Sequence, residues 1–143
     1  MTLLDQHDSL CEKNQKVIVS RDKGTSSKEH RADNSEHRYD VRQYKLDGIV
    51  VKNETCCDFL LLNDSLRRAY LIELKGRNID EAVPQLQAGK RILSPELREY
   101  DFYYRIVCSK VNKNDQMKNK FRKFQDACGS HLKYTSVQME EKL

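Results

Sequence analysis

Glu73 and Lys75 stand two residues apart in an otherwise apolar stretch, Ala69-Tyr70-Leu71-Ile72-Glu73-Leu74-Lys75. If that stretch is a strand, both charged side chains leave one face, while Ile72 and Leu74 leave the other. A carboxylate and an ammonium at the end of an apolar strand are costly to bury unless they are paired or bind a ligand. Asp58 raises the same question in the preceding run, Cys56-Cys57-Asp58-Phe59-Leu60-Leu61-Leu62. Pairing the two runs as an antiparallel hairpin with Asp58 opposite Glu73 puts Leu62 opposite Ala69 and leaves Asn63 to Arg68 as the turn. The three charges then converge. Two carboxylates so placed make a hard oxygen site suited to Mg²⁺ or Mn²⁺. An ion held there can polarise a phosphodiester and lower the pKa of a bound water, and the adjacent lysine can hold that water or stabilise the transition state.

The elements that must position these groups follow from hydrophobic pattern. Leu3, Leu4, His7, Leu10 and Cys11 recur at helical spacing, which predicts a short helix over 2–14. Val17 to Val19 reads as a brief strand, and Arg21 to Arg38, nearly free of apolar residues, as a long loop. Tyr44 to Val51, Cys56 to Leu62 and Ala69 to Leu74 read as three strands. A helix capped by Asn78 or Asp80, with Pro84 near its first turn, then runs to about Leu93, where Ser94-Pro95 ends it. Phe102 to Cys108 reads as a fourth strand, Asp115 to Cys128 as a helix with Met117, Phe121, Phe124 and Cys128 on one face, and Leu132 to Val137 as a last strand. The order βββ-α-β-α-β predicts an α/β fold with a mixed sheet of about four to five strands flanked by helices. The expected organisation is one domain over 1–143, with its core at about 41–110, a loop over 21–38, and a basic helix and last strand over 111–143.

A chain of 143 residues has room for one core. With 34% charged residues and a net charge of +4, it favours polyanionic partners mildly. The five cysteines contain no CxxC pair, so a structural zinc framework is lacking, and reduced thiols in a cytoplasmic protein are expected. No apolar run approaches the roughly 20 residues of a membrane span. Lys110, Lys113, Lys118, Lys120, Arg122 and Lys123 form a basic segment that suits phosphate contact, although a solvated helix face has the same composition. Arg67, Arg68 and Arg77 are expected to flank the charged centre and supply further backbone contacts. The four histidines lack metal-ligand spacing.

Asp58, the spacing to Glu73-Leu74-Lys75, and the following helix with Gln85 in Ala82-x-x-Gln85-Leu86 resemble the PD-(D/E)XK nuclease superfamily, over roughly Tyr44 to Leu93. The resemblance implies a restriction endonuclease-like core and a metal-dependent nuclease. It makes Asp58 and Glu73 metal ligands, the Leu74 carbonyl a third ligand, Lys75 the catalytic lysine and Gln85 its neighbour. Many members add an acid from an N-terminal helix, for which Glu12, Glu29, Glu36 and, from the first strand, Asp47 are the candidates. DNA is the expected substrate ahead of RNA, acted on by a homodimer or by a subunit of a larger assembly. A non-cleaving factor that binds nucleic acid or protein on the same fold is the alternative. A third reading is an unrelated α/β domain in which the three charges form a structural network.

Overall fold

The computed structural model describes residues 2–22, 28–75, 79–109 and 119–143, the side chains of Lys75 and Asn119 apart. These residues form β1 (Val17–Arg21), β2 (Glu29–Asp33), β3 (Val41–Lys45), β4 (Phe59–Asn63), β5 (Arg68–Lys75), α1 (Ile79–Leu93), β6 (Asp101–Cys108), α2 (Asn119–Cys128), β7 (Leu132–Ser136) and β8 (Gln138–Lys142). The fold is mixed α/β. A five-stranded sheet runs in the order β3-β4-β5-β6-β7, and a three-stranded sheet in the order β1-β2-β8. In the larger sheet β3, β4 and β5 are antiparallel neighbours, whereas β6 and β7 continue parallel to β5. Parallel neighbours need a crossover, and α1 supplies it between β5 and β6.

Every residue of β4 is buried because both faces of the sheet are covered. Leu60, Leu62, Leu71 and Ile106 meet Leu86 of α1 and Phe121 of α2 in one core cluster. Phe59, Leu61, Tyr70 and Ile72 belong to a second cluster with Ile18, Ala32 and Met139 of the small sheet. Truncating a side chain such as Leu60 to alanine would cost about 2–5 kcal/mol. In α1, Asp80 and Glu81 occupy the first turn and Lys90 and Arg91 the last, in the sense that the helix dipole favours. Pro84 lies inside this helix rather than in its first turn, withdrawing one N–H from the ladder.

Four sequence expectations are corrected. Residues 2–14 form no α-helix: only Leu4–Gln6 makes a 3₁₀ turn. The chain after it lies along the edge of β3, where the Leu10 N–H donates to the Gln43 carbonyl and the Val41 N–H to the Lys13 carbonyl. Covering the edge strand wins over helical spacing, and Leu10 remains 60% exposed. The long loop of 21–38 contains β2, which is paired on both sides, antiparallel to β1 and parallel to β8. Strand β3 ends at Lys45 instead of continuing to Val51: Gly48 takes φ +84°, and the Val51 N–H returns to the Leu46 carbonyl at 2.9 Å. Finally, β7 is followed by β8, which joins the other sheet. The expected start of the second helix at Asp115 lies outside the described residues. Among them, no helix is long and apolar enough to cross a membrane.

Candidate metal centre

The hairpin of β4 and β5 has the register expected from sequence, with Phe59 opposite Ile72 and Leu62 opposite Ala69. Extended one step beyond its last pair, this register sets Asp58, which directly precedes β4, against Glu73. Asp58 is 9% exposed and Glu73 2%. The Leu74 N–H lies beyond the last β4 ladder pair and donates to Asp58 Oδ2 at 2.8 Å. The Asp58 carboxylate therefore replaces a missing strand partner. Because the N–H and C=O of one strand residue leave the same edge, the Leu74 carbonyl also faces the Asp58 side.

Glu73 meets α1. In the amide orientation that satisfies its neighbours, Gln85 Nε2 donates to Glu73 Oε2 at 2.8 Å, to Oε1 at 3.2 Å and to the Cys56 carbonyl at 3.2 Å. Close seating of the helix makes this reach possible. The Cys57 N–H donates to the Gln85 carbonyl at 3.1 Å, and a Cβ built on Gly89, one turn further on, would stand 2.8 Å from Cys57 Sγ. Only glycine allows that approach. Burial pushes the Cys57 thiol well above its ordinary pKa, helped by its hydrogen bond to Cys56 and by the negative charges of Glu73 and Asp58. All five cysteines are free thiols.

The structure adds two residues that sequence reasoning missed. Lys45, the last residue of β3, places Nζ 3.2 Å from Asp58 Oδ1 and 3.8 Å from Asp22 Oδ1. Asp22 follows β1 directly. Burial and the nearby Asp58 charge push its carboxyl above the ordinary aspartate pKa, against the pull of Lys45. A signal for Lys45 was available in the alternation Val41, Gln43, Lys45, which ends an inward face on a charge. Asp22 had none, because it sits in a polar stretch without periodicity.

The remaining expected residues divide by position. Lys75 ends β5, but its side chain lies outside the described residues, as do Arg77, Lys110, Lys113 and Lys118 altogether. The expectation that Arg67 and Arg68 flank the centre is corrected. They lie at the turn end of the hairpin, and Arg68 is five residues from Glu73, roughly 17 Å at the rise of a strand. Arg67 pairs there with Glu99, and the Arg68 guanidinium lies over the Tyr103 ring. Lys120, Arg122 and Lys123 are exposed on α2. That helix begins beside the start of α1, since the Phe121 N–H donates to Asp80 Oδ1 at 2.8 Å. These cations therefore stand at the sheet end that carries Glu73. Of the candidate N-terminal acids, Glu12 and Glu36 are exposed, whereas Glu29 is buried between Arg21 and Arg31. Asp47 is exposed in the turn after β3, close enough for its charge to act on Asp22.

Among the described residues no group of three or more His, Cys, Asp or Glu side chains is arranged to hold a metal ion. Two carboxylates and a backbone carbonyl remain. Mg²⁺ commonly takes one or two carboxylates and keeps several waters, so the donor chemistry of Asp58, Glu73 and the Leu74 carbonyl fits it. Comparison with protein-family models, with curated proteins and with solved structures returns no match.

Proposed function

We propose that this chain is a Mg²⁺- or Mn²⁺-dependent nuclease of the PD-(D/E)XK type with a restriction endonuclease-like core, hydrolysing phosphodiester bonds in DNA. The observation that carries the reading is the hairpin register, which sets Asp58 opposite Glu73 with the Gln85 amide on the Glu73 carboxylate. The strand order, three antiparallel strands and then a parallel strand reached through α1, supports the same core. Asp58 and Glu73 hold the ion, with the Leu74 carbonyl as third ligand. When bound, the ion supplies Lewis-acid stabilisation of the phosphoryl oxygens and lowers the pKa of a coordinated water. Lys75 holds the attacking water or stabilises the charge that develops on the phosphoryl group. Gln85 fixes the Glu73 carboxylate as a positioning residue. Lys118, Lys120, Arg122 and Lys123 contact backbone phosphates, steering the substrate to this end of the sheet. The protein acts in the cytoplasm, as a homodimer or within a larger assembly.

One observation favours the second reading, a non-cleaving factor that binds nucleic acid or protein on the same fold. Both Asp58 oxygens are already engaged by protein donors, Leu74 N–H and Lys45 Nζ. A cleavage screen separates the two readings. Duplex, junction and single-stranded DNA and RNA are incubated with the protein in Mg²⁺, Mn²⁺ or EDTA, beside Lys75→Ala. The nuclease reading expects metal-dependent cleavage of DNA and a loss of at least about a hundredfold in Lys75→Ala, the scale of one preorganised stabilising group. Salt-dependent binding without cleavage in either metal would establish the second reading instead.

A further inference from the structure

We propose that Lys45 is the resident counter-ion of this centre and becomes a phosphate ligand when a divalent cation takes its place at Asp58, so that metal and nucleic acid bind cooperatively. The inference rests on the nuclease reading and adds to it a residue and a regulatory coupling. Asp58 Oδ2 is committed to the Leu74 N–H, which leaves Oδ1 as the oxygen able to accept a cation. Lys45 Nζ covers that oxygen at 3.2 Å and is held from the other side by Asp22 at 3.8 Å. A cation arriving at Oδ1 meets a like charge and must displace it.

The displaced ammonium has somewhere to go. Lys45 lines a cavity of about 620 Å³ shared with Arg21, Asp22, Phe59 and Asp47. Its side chain is 27% exposed, and Nζ lies 5.2 Å from the Phe59 ring centroid. A lysine head is a point charge with three donors on a flexible stem, suited to exchange a carboxylate oxygen for a phosphate oxygen. Asp22 acts as the tether: it keeps the ammonium at the cavity mouth after Asp58 is released. Arg21, 60% exposed in its side chain, adds a second cation to the same wall.

Coupling follows by linkage. A phosphate that draws Lys45 off Asp58 raises the affinity of that carboxylate for a divalent cation, and the cation raises the affinity for phosphate by the same factor. Free protein therefore binds the ion weakly and the nucleic-acid complex binds it well. Lysine in this position lowers metal affinity until substrate is present.

The test uses the whole chain and two readouts other than activity. Mn²⁺ affinity is measured by calorimetry for wild type, Lys45→Met, Lys45→Gln and Asp58→Asn. Anisotropy of a labelled oligonucleotide is then measured in EDTA and in Ca²⁺. Both lysine variants should bind Mn²⁺ about tenfold tighter than wild type, within the usual range of coupling between sites. In both, the gain in oligonucleotide affinity on replacing EDTA by Ca²⁺ should shrink at least about fivefold. Lys45→Gln keeps a hydrogen bond to Asp58 and guards against a Lys45→Met that fails to fold. Equal or weaker Mn²⁺ binding in the folded variants, or an undiminished Ca²⁺ gain, overturns the proposal while leaving the nuclease reading intact. A wild type that binds no Mn²⁺, or an Asp58→Asn that binds it as well as wild type, overturns the nuclease reading and the inference with it.

Discussion

Glu141 ties β8 of the small sheet to β6 of the large one, and replacing it with glutamine should cost about 3 kcal/mol at neutral pH. It stands on β8 of the small sheet with its side chain 10% exposed. Oε2 is 2.6 Å from His30 Nε2 and accepts from Arg105 Nε at 2.7 Å, while Oε1 accepts from Arg105 Nη2 at 3.1 Å. Arg105 belongs to β6 of the large sheet, is 4% exposed in its side chain, and lies over Tyr70 and Tyr103. Burial alone would raise the Glu141 pKa. The hydrogen bonds from His30 and Arg105 outweigh it and hold the carboxyl at about 2, against an ordinary 4.5. That depression corresponds to about 3 kcal/mol at ~1.36 kcal/mol per pKa unit. Because the folded-state pKa is the lower one, the contribution is complete above pH 4.5 and is lost as the pH falls from 4.5 towards 2. Urea unfolding of wild type and Glu141→Gln at pH 7, 4 and 2 checks both parts. Wild type should lose this increment across the acid limb, whereas the variant starts lower and loses less. Removing Arg105 as well, in Glu141→Leu/Arg105→Met, should recover most of the loss, since a buried pair replaced by apolar groups is close to neutral. A Glu141→Gln as stable as wild type at pH 7, with the same acid slope, would refute the reasoning.

Three further outcomes are expected. Gly89→Ala gains about 1 kcal/mol of helix propensity but sets its Cβ 2.8 Å from Cys57 Sγ, and overpacking of ~1–3 kcal/mol should make it net destabilising in thermal unfolding, with Gly89→Ala/Cys57→Ala restoring stability. Val137, between β7 and β8, holds φ +66° and is 45% exposed. Asparagine tolerates that left-handed conformation better than a β-branched residue, so Val137→Asn should stabilise by about 1 kcal/mol and raise Tm by roughly 3 °C; a lower Tm would count against the strain argument. Asp58→Asn still offers an oxygen to the Leu74 N–H, so circular dichroism should report an intact fold while calorimetric Mn²⁺ binding disappears; loss of folding would identify Asp58 as a structural residue.

The β4–β5 hairpin is legible in sequence because two signals agree there. Its apolar residues have strand length, and Asn63-Asp64-Ser65 supplies turn chemistry at the spacing that sets Asp58 against Glu73. Helix α1 is legible for similar reasons, and with it Gln85. Strand β2, Glu29-His30-Arg31-Ala32-Asp33, is not, because what holds it is remote in sequence: His30 is buried against Glu141, 111 residues away. Polar composition mimics a loop when the polar groups are satisfied by distant partners. The N-terminal segment misleads in the opposite way. Its leucines recur at helical spacing, yet its backbone hydrogen bonds go to the edge of β3. Lys45 reaches Asp58 from the neighbouring strand β3, whereas Asp22, which follows β1 of the small sheet, meets Lys45 only through the packing of the two sheets, which no local pattern encodes.

The nuclease reading stands on a divalent cation held jointly by Asp58 and Glu73. Crystals soaked in Mn²⁺ at a concentration that calorimetry shows to saturate the free protein, and measured at a wavelength that excites manganese, test this directly. One strong anomalous peak is expected in contact with a carboxylate oxygen of each residue, with the Lys45 ammonium moved off Asp58 Oδ1. Anomalous peaks elsewhere only, with Lys45 still seated on Asp58, would contradict it.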